Sequence, residues 1–358
     1  MGHPITSEIT GRPHLKAAGA APTTTAIPHP GRLFQTFNSY HQTSAMKAAI
    51  DLDVVTAIGD GQNTAEQLAA QVGASERGIR ILCDFLTVSG FLTKEEFQYG
   101  LAPDAAMFLD RRSPAYMGSA ARFLTAPEMV KAFDNLTEAV RKGGTVMSEE
   151  GTLGGENPIW VEFARSMAPM MMKPAEVISQ MVGADKGGKC RVLDVAAGHG
   201  LFGIDIARHN PQAEIVALDW ASVLEVAKEN ARKCGVESRY SLIPGNAFEV
   251  EFGEGYDLVL LTNFLHHFDP PTCGQLLRKV YAALIPGGRA VTLEFVPNDD
   301  RVTPAETAAF SMIMLSSTPH GDAYTFTELE RMFDDAGFTR SAHFRVPPLP
   351  ESVIISYK

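Results

Sequence analysis

Beyond residue 183, short apolar runs alternate regularly with segments that have helical periodicity. The runs are four to six residues long and comprise residues 191–195, 214–218, 240–243, 257–261, 290–295 and 353–357. Runs of this length are typical of strands that are buried on both faces, and helices between them can connect parallel strands. The pattern therefore predicts an α/β fold, with an open, mainly parallel sheet covered by helices on both faces.

The preceding part of the 358-residue chain is mostly helical in pattern, and the whole is long enough for two domains. Apolar spacing predicts helical structure over residues 33–59. A second helix is predicted to begin where Asn63 or Thr64 can cap it, and a third to begin at Ala74-Ser75, after Gly73. Two short strands are predicted within residues 91–101. Helix, turn, helix and hairpin together form the layout of a winged helix.

Winged helices often bind DNA, but the charges of this segment argue against that function. Residues 41–110 contain four Lys or Arg against ten Asp or Glu, and the whole chain has a formal net charge of −11. Phosphate binding requires clustered positive charge. We therefore expect neither a nucleic acid nor a membrane as partner, and we interpret the apolar helical surface as a subunit interface or as a lid over a pocket.

The remaining composition is that of an intracellular globular chain. The four cysteines have no paired spacing, which predicts reduced thiols in a cytoplasmic protein. No run approaches the roughly 18 uninterrupted apolar residues of a membrane span. Residues 1–30 are rich in Pro, Ala and Thr, and they are predicted to form a disordered leader.

The strongest local signal is the stretch V-L-D-V-A-A-G-H-G at residues 192–200, where an apolar strand ends in small residues. Small residues let the backbone turn sharply and approach a ligand closely, at the N-terminus of the following helix. The spacing differs from the G-x-G-x-x-G pattern of nicotinamide sites. The candidate cofactor residues here are Asp194, Ala196, Gly198 and Gly200.

Two further strand ends carry residues that suit an adenosine group. Asp219 follows the next strand and can accept hydrogen bonds from both ribose hydroxyls, while Trp220 can cover the adenine ring. The strand after that ends in a glycine and a polar residue, and Asn246 can bond the adenine amine. The candidates at this third strand end are Gly245, Asn246, Ala247 and Phe248.

Residues 188–295 resemble class I S-adenosylmethionine-dependent methyltransferases. From about residue 35 onward, the chain resembles the O-methyltransferase family of plant caffeic acid and flavonoid enzymes and of bacterial polyketide, carotenoid and bacteriochlorophyll enzymes. The family motif V-D-V-G-G-G-x-G is present as L-D-V-A-A-G-H-G at residues 193–200. Two glycines of the motif are thus replaced by alanine. Alanine still allows the backbone to approach a ligand closely if its φ stays negative.

The resemblance implies a domain organisation and a cofactor. It predicts a leader at 1–30, a winged-helix-like dimerisation domain at 31–110 and a helical linker and substrate-pocket segment at 111–182. A Rossmann-like domain that binds S-adenosylmethionine is predicted at 183–358. The partners that follow are a small-molecule methyl acceptor and a second copy of the chain.

The resemblance also implies roles for residues before the cofactor domain. The stretch W-V-E-F-A-R-S-M at residues 160–167 matches a family segment, which places Arg165 at the methionine carboxylate and Met167 near the sulfonium. A guanidinium suits a carboxylate because it offers two parallel hydrogen bonds. Asn263, at a later strand end, is a further candidate for the cofactor site.

The reacting groups are implied by the stretch N-F-L-H-H-F-D at residues 263–269. The family pattern L-H-D-W places the general base at His266, while His267 replaces the family's Asp. Glu294 matches the first of two glutamates that orient the base, but the second position is occupied by Ala323. Tyr324 or Asp322 can substitute for that missing carboxylate.

Several alternatives remain open at this stage. Without the second glutamate, C- or N-methylation on the same scaffold competes with O-methylation, and iron held by His266, His267 and His320 would suit an α-keto acid acceptor. We expect no metal, because adjacent side chains diverge. A non-catalytic regulator would need a basic face that the sequence lacks. A set of flexible and aromatic side chains is predicted to line the acceptor pocket, although core packing explains these residues equally well. They are Phe163, Met170, Met171, Phe310, Met312, Met314 and Tyr324.

Overall fold

The structure is a computed structural model that describes residues 30–154 and 157–358. The predicted disordered leader lies outside the described residues, apart from Pro30. The chain divides into two compact units, residues 1–44 and residues 45–358. In the first unit lies helix α1 (Gly31–Phe37), and helix α2 (Ser39–Asp51) begins there and ends in the second unit.

The second unit begins with a small helical layer and a hairpin. Its elements are α3 (Val54–Gly59), α4 (Ala65–Val72), α5 (Glu76–Val88), β1 (Leu92–Glu95) and β2 (Gln98–Leu101). Thr64 caps α4 in a capping box with Gln67, and the Ser75 side chain caps α5. The strands pair antiparallel, as a hairpin requires. The predicted winged-helix-like layout is therefore confirmed, with a core that includes Val54, Leu68, Ile79, Leu86 and Tyr99.

Helices with intervening loops follow up to residue 182, as predicted. They are α6 (Pro103–Phe108), α7 (Ala120–Leu124), α8 (Pro127–Asp134), α9 (Leu136–Lys142), α10 (Ile159–Ser166) and α11 (Ala168–Val182). The glycine-rich stretch lies between α9 and α10 and contains a 3-10 turn at Gly151–Leu153. Within the two described ranges, no helix has the length and apolar character needed to cross a membrane.

The rest of the unit is a seven-stranded sheet with helices between its strands. The strands are β3 (Cys190–Val195), β4 (Ala213–Asp219), β5 (Tyr240–Pro244), β6 (Tyr256–Thr262), β7 (Leu284–Glu294), β8 (Arg340–Arg345) and β9 (Ser352–Tyr357). The helices are α12 (Leu201–His209), α13 (Ala221–Lys233), α14 (Pro270–Ala283), α15 (Ala305–Ser317) and α16 (Phe326–Asp335).

The strand order is β5-β4-β3-β6-β7-β9-β8. The first five strands in this order run parallel, and β9 is antiparallel to both of its neighbours. Alternate residues enter two different apolar clusters, since Val192 lies in one and Leu193 lies in the other. The sheet is thus buried on both faces, and the predicted mainly parallel α/β fold is confirmed.

The strand order reverses between β3 and β6. Because the connections from these two central strands lead to opposite sides, a crevice opens beyond their carboxyl ends. The small-residue turn after β3 and the histidine pair after β6 both lie at this edge. The fold therefore places the candidate residues where open α/β sheets bind ligands.

Candidate active site

A cavity of about 550 Å³ lies at the carboxyl ends of strands β3 to β6. One wall is made of strand-end residues, namely Ala196, Gly198, Asp219, Trp220, Gly245, Asn246, Ala247, Phe248 and Asn263. Another is made of residues from helices α10, α11 and α15 and the turn between the first two, among them Phe163, Met167, Met170, Met171, Phe310 and Met314. His266 and His267 also line it. The structure thus brings most of the predicted site residues together, although their individual roles stay predictions.

Asp219 connects two strand ends at one side of the cavity. Its Oδ2 accepts a hydrogen bond from the Gly198 amide at 2.8 Å, and its Oδ1 accepts one from the Trp220 amide at 2.7 Å. Burial raises the pKa of Asp219 to about 6, against the opposing effect of these two amides. A carboxylate has about four lone-pair sites, so acceptor capacity remains for a ligand in the cavity.

The turn after β3 is held in a left-handed backbone conformation. Gly198 and Gly200 have φ of +58° and +75°, and a Cβ on Gly200 would lie 2.5 Å from the Tyr240 hydroxyl oxygen. Ala196 has φ of +54°, so the condition that φ stay negative is not met at this alanine. The chain must turn back here for the Ala197 amide to bond the Leu218 carbonyl oxygen at 3.0 Å. A side chain in this conformation costs roughly 1–2 kcal/mol.

Asn263 presents an unsatisfied polar atom at the end of β6. Its amide nitrogen lies 3.5 Å from the Met171 sulfur, and its Oδ1 is buried without a hydrogen-bond partner among the described residues. An orphaned buried acceptor is unfavourable unless something donates to it. Because Asn263 lines the cavity, a ligand N–H or O–H group is the natural donor.

Asp194 lies behind the cavity wall and does not line it. Its carboxylate is fully buried, with Oδ2 accepting from the Gly203 amide at 3.2 Å and Oδ1 without a partner in the described part of the chain. Burial raises the pKa of Asp194 to about 8. It therefore fixes the first turn of α12, and any contact with a cofactor stays a prediction.

Five other predicted residues also lie away from the cavity lining, and one of them, Glu294, contacts the lining residue His266. The Arg165 guanidinium is half exposed and forms two hydrogen bonds, at 3.0 and 3.1 Å, with the Glu229 carboxylate on α13. Met312 is exposed, whereas Tyr324 is buried and donates to the Phe268 carbonyl oxygen. Gly200 lies at the start of α12. Their ligand-binding roles stay predictions.

Glu294, at the end of β7, holds the segment that carries the predicted base. Its Oε1 accepts hydrogen bonds from the amides of Phe264 and Leu265 at 3.0 and 2.8 Å. Its Oε2 lies 2.5 Å from Nδ1 of His266. Both side chains are buried. One carboxylate thus fixes the backbone turn and the imidazole together.

This contact determines which nitrogen of His266 can act as a base. Nδ1 carries the hydrogen because it faces a carboxylate, so Nε2 carries a free lone pair. Nε2 has no hydrogen-bond partner among the residues that the structure describes, and His266 lines the cavity. The Phe310 ring packs edge-on with its centroid 4.8 Å from that of His266. The imidazole is thus oriented in an apolar surrounding, which suits a general base, and that role stays a prediction.

His267 lines the same cavity as a neutral imidazole. Burial and the adjacent His266 hold the pKa of His267 well below its ordinary value. Its ring lies edge-on to Trp160, and its Nδ1 has no partner within the described ranges. The two imidazole planes are inclined by 60°. Residues 30–154 and 157–358 contain no group of three or more His, Cys, Asp or Glu that could hold a metal ion.

The missing second carboxylate is not supplied by the two suggested substitutes. Ala323 is fully buried, Asp322 pairs with Arg301 at 2.9 Å, and Tyr324 bonds a carbonyl oxygen. A different acidic residue, Glu351, lines the cavity and is only 4% exposed. No sequence signal marks it, because its place depends on the antiparallel pairing of β9 with β7.

Comparisons with known families match almost all of the described chain. A model of the O-methyltransferase domain matches residues 133–339, and a model of the O-methyltransferase dimerisation domain matches residues 34–111. A tetracenomycin polyketide synthesis 8-O-methyl transferase from Streptomyces glaucescens is 27% identical over 324 residues. That alignment covers 88% of this chain and 93% of the relative.

Two solved structures share the fold of this chain. A candidate O-methyltransferase from Nostoc punctiforme is 53% identical, with a TM-score of 0.90 and coverage of 93% of this chain and 100% of that one. Human N-acetylserotonin methyltransferase in complex with S-adenosylmethionine has a TM-score of 0.81 at 21% identity. It covers 94% of this chain and 99% of its own.

Proposed function

Because the chain belongs to the O-methyltransferase family, we propose that His266 removes the proton from the hydroxyl group of a methyl acceptor. S-adenosylmethionine is the methyl donor, and the acceptor is a small molecule. The observation that carries this proposal is the contact of His266 Nδ1 with Glu294. Because that contact engages Nδ1, Nε2 keeps a lone pair that can accept a proton. The acceptor takes the apolar part of the cavity. Its aromatic and methionine side chains suit an aromatic hydroxyl compound.

The strand-end side of the cavity fits the cofactor. The Asp219 carboxylate has acceptor capacity for ribose hydroxyls, and the orphaned Oδ1 of Asn263 suits a donor on the ligand. Trp220 and Asn246 are the residues proposed to hold the adenine. When bound, S-adenosylmethionine supplies an electrophilic methyl group. The protein then has to bring the acceptor oxygen close and take its proton.

The proton taken from the hydroxyl resides on Nε2 of His266. Glu294 stabilises the imidazolium that forms, because its carboxylate already faces the Nδ1 hydrogen. His267 remains neutral beside it, so no second cation opposes the proton transfer. Histidine suits this role because its unperturbed pKa lies near neutral pH.

We also propose a homodimer in a reducing, cytoplasmic compartment. The dimerisation-domain match over residues 34–111 supports pairing through that segment, which we keep as the domain 31–110. Apolar side chains are exposed there, including Ile81, Val88 and Phe97. All four cysteines are free, as they are in a reducing compartment.

We expect S-adenosylhomocysteine, the demethylated cofactor, to raise the melting temperature. At about 100 times its Kd, a ligand of the native state adds about 2.7 kcal/mol, or about 4 °C for a chain of this size. Differential scanning fluorimetry measures the shift. Asp219→Ala is the matched control and should show a smaller shift. No shift together with no calorimetric binding would contradict the cofactor assignment.

Cofactor affinity should weaken as the pH falls through about 6. The pKa of Asp219 is raised to about 6 in the free protein, and only the carboxylate accepts from both ribose hydroxyls. Protonation below that pH removes acceptor capacity, so Kd should rise by up to about tenfold per pH unit. Calorimetric titration with S-adenosylhomocysteine between pH 8 and pH 5 measures it. Asp219→Asn should bind S-adenosylhomocysteine more weakly, with a Kd that does not change with pH. A wild-type Kd that does not change with pH would rule out binding of the ribose by the Asp219 carboxylate.

A further inference from the structure

The carboxyl group of Glu351 is an unexplained feature of the acceptor cavity. The residue is 4% exposed and lines the cavity together with His266 and Phe310. No other residue in the described ranges donates a hydrogen bond to it. Apart from the residue's own backbone amide, nothing offsets the loss of water around this carboxyl group, and most of its hydrogen-bonding capacity stays unused. A ligand in the cavity is the partner that is available to it.

The backbone around Glu351 is held firmly. Ser352, the first residue of β9, pairs with Glu294 on β7. On the other side, the Thr307 hydroxyl on α15 donates to the Pro350 carbonyl oxygen at 2.9 Å. Glu351 is therefore fixed between the sheet and α15, and a ligand has to fit the carboxyl group where it stands.

The surroundings of Glu351 raise the pKa of its carboxyl group. Burial has the largest effect and the negative charge of Glu294 adds to it, whereas the residue's own backbone amide and His266 oppose the shift. A protonated carboxyl group both donates and accepts hydrogen bonds. It can therefore pair with either a hydroxyl or a carbonyl oxygen.

We propose that Glu351 is a specificity-determining residue whose carboxyl group hydrogen-bonds a second oxygen of the acceptor. The proposal rests on the proposed function, in which His266 takes the first, reacting hydroxyl. Glu351 and His266 line the same cavity on different elements, so a ligand that carries two oxygens can meet both at once. The enzyme then prefers aromatic acceptors with two oxygen substituents over matched acceptors with one.

Two naphthol probes test this preference by binding alone. 2,3-Dihydroxynaphthalene and 2-naphthol are titrated calorimetrically into the protein saturated with S-adenosylhomocysteine. The wild type should bind the dihydroxy probe about tenfold more tightly, the size of one hydrogen bond to a buried group. Glu351→Leu should bring the ratio close to one by weakening only the dihydroxy probe. Glu351→Gln keeps a donor and an acceptor and should retain most of the ratio.

Glu306 supplies the control, because it lines the same cavity but is exposed at its rim. Glu306→Gln should leave the ratio unchanged. A wild type that binds neither probe, or binds both equally, overturns the proposal, and so does an unchanged ratio in Glu351→Leu. If that variant does not fold, Glu351→Met replaces it with the same expected result. Loss of S-adenosylhomocysteine binding in the same titrations would instead point to failure of the cofactor assignment.

Discussion

Replacing His266 with alanine is expected to lower kcat by about 10²–10⁴-fold, the usual contribution of general base catalysis. The acceptor hydroxyl then has to lose its proton to water, and the apolar wall around His266 excludes most of that water. The Kd of S-adenosylhomocysteine should stay within about twofold, because the proposed cofactor contacts lie at other strand ends. Single-turnover methyl transfer and calorimetry measure the two quantities.

His320→Ala is the matched control for this variant. His320 is exposed, so its removal should change neither rate nor affinity. If the reaction required iron held by histidines, both variants would lose activity together. Nearly full activity of His266→Ala would show that positioning alone carries the reaction.

Glu294→Gln is the second substitution with a large expected effect. Glutamine keeps an oxygen for the amides of Phe264 and Leu265, but its NH₂ group faces Nδ1 of His266. The imidazole then has to accept at Nδ1 and carry its hydrogen on Nε2, which is the wrong form for a base. An expected fall in kcat of about 10²–10³-fold follows, by analogy with the wrong-tautomer effect in catalytic triads.

Two further measurements distinguish a merely structural role of Glu294 from its proposed role in orienting His266. The free energy of unfolding should fall by about 1–3 kcal/mol, because one buried contact is altered. In the double variant His266→Ala, Glu294→Gln, the rate should stay within about threefold of that of His266→Ala, since the two residues act as one unit. Multiplied losses in the double variant would mean that Glu294 acts independently of the base.

The sheet was predictable because strands buried on both faces have a distinctive pattern. Six of its seven strands were predicted, whereas β8 was missed. That strand, R-S-A-H-F-R, lies at the edge of the sheet and is only partly buried, so it lacks an apolar run. The helix starts at Thr64 and Ser75 were predictable because capping depends on local sequence alone.

The site was predictable where it depends on strand ends and not where it depends on packing between distant segments. Asp219 and His266 follow parallel strands, whose carboxyl ends necessarily share an edge. The pairing of Arg165 with Glu229 depends on how α10 packs against α13, 64 residues away. The left-handed φ of Ala196 depends on a hydrogen bond to the neighbouring strand. Such contacts are set by tertiary structure and leave no local signal.

The base and the acceptor wall are built on different parts of the molecule. Glu294 and His266 are anchored to the sheet, whereas Phe163, Met170 and Phe310 are carried by helices. A descendant of this chain can therefore acquire a new acceptor by exchanging side chains on helices, while it inherits the proton-transfer pair unchanged. Mutant libraries that vary α10, α11 and α15 should for the same reason yield new acceptor ranges at little loss of catalytic competence.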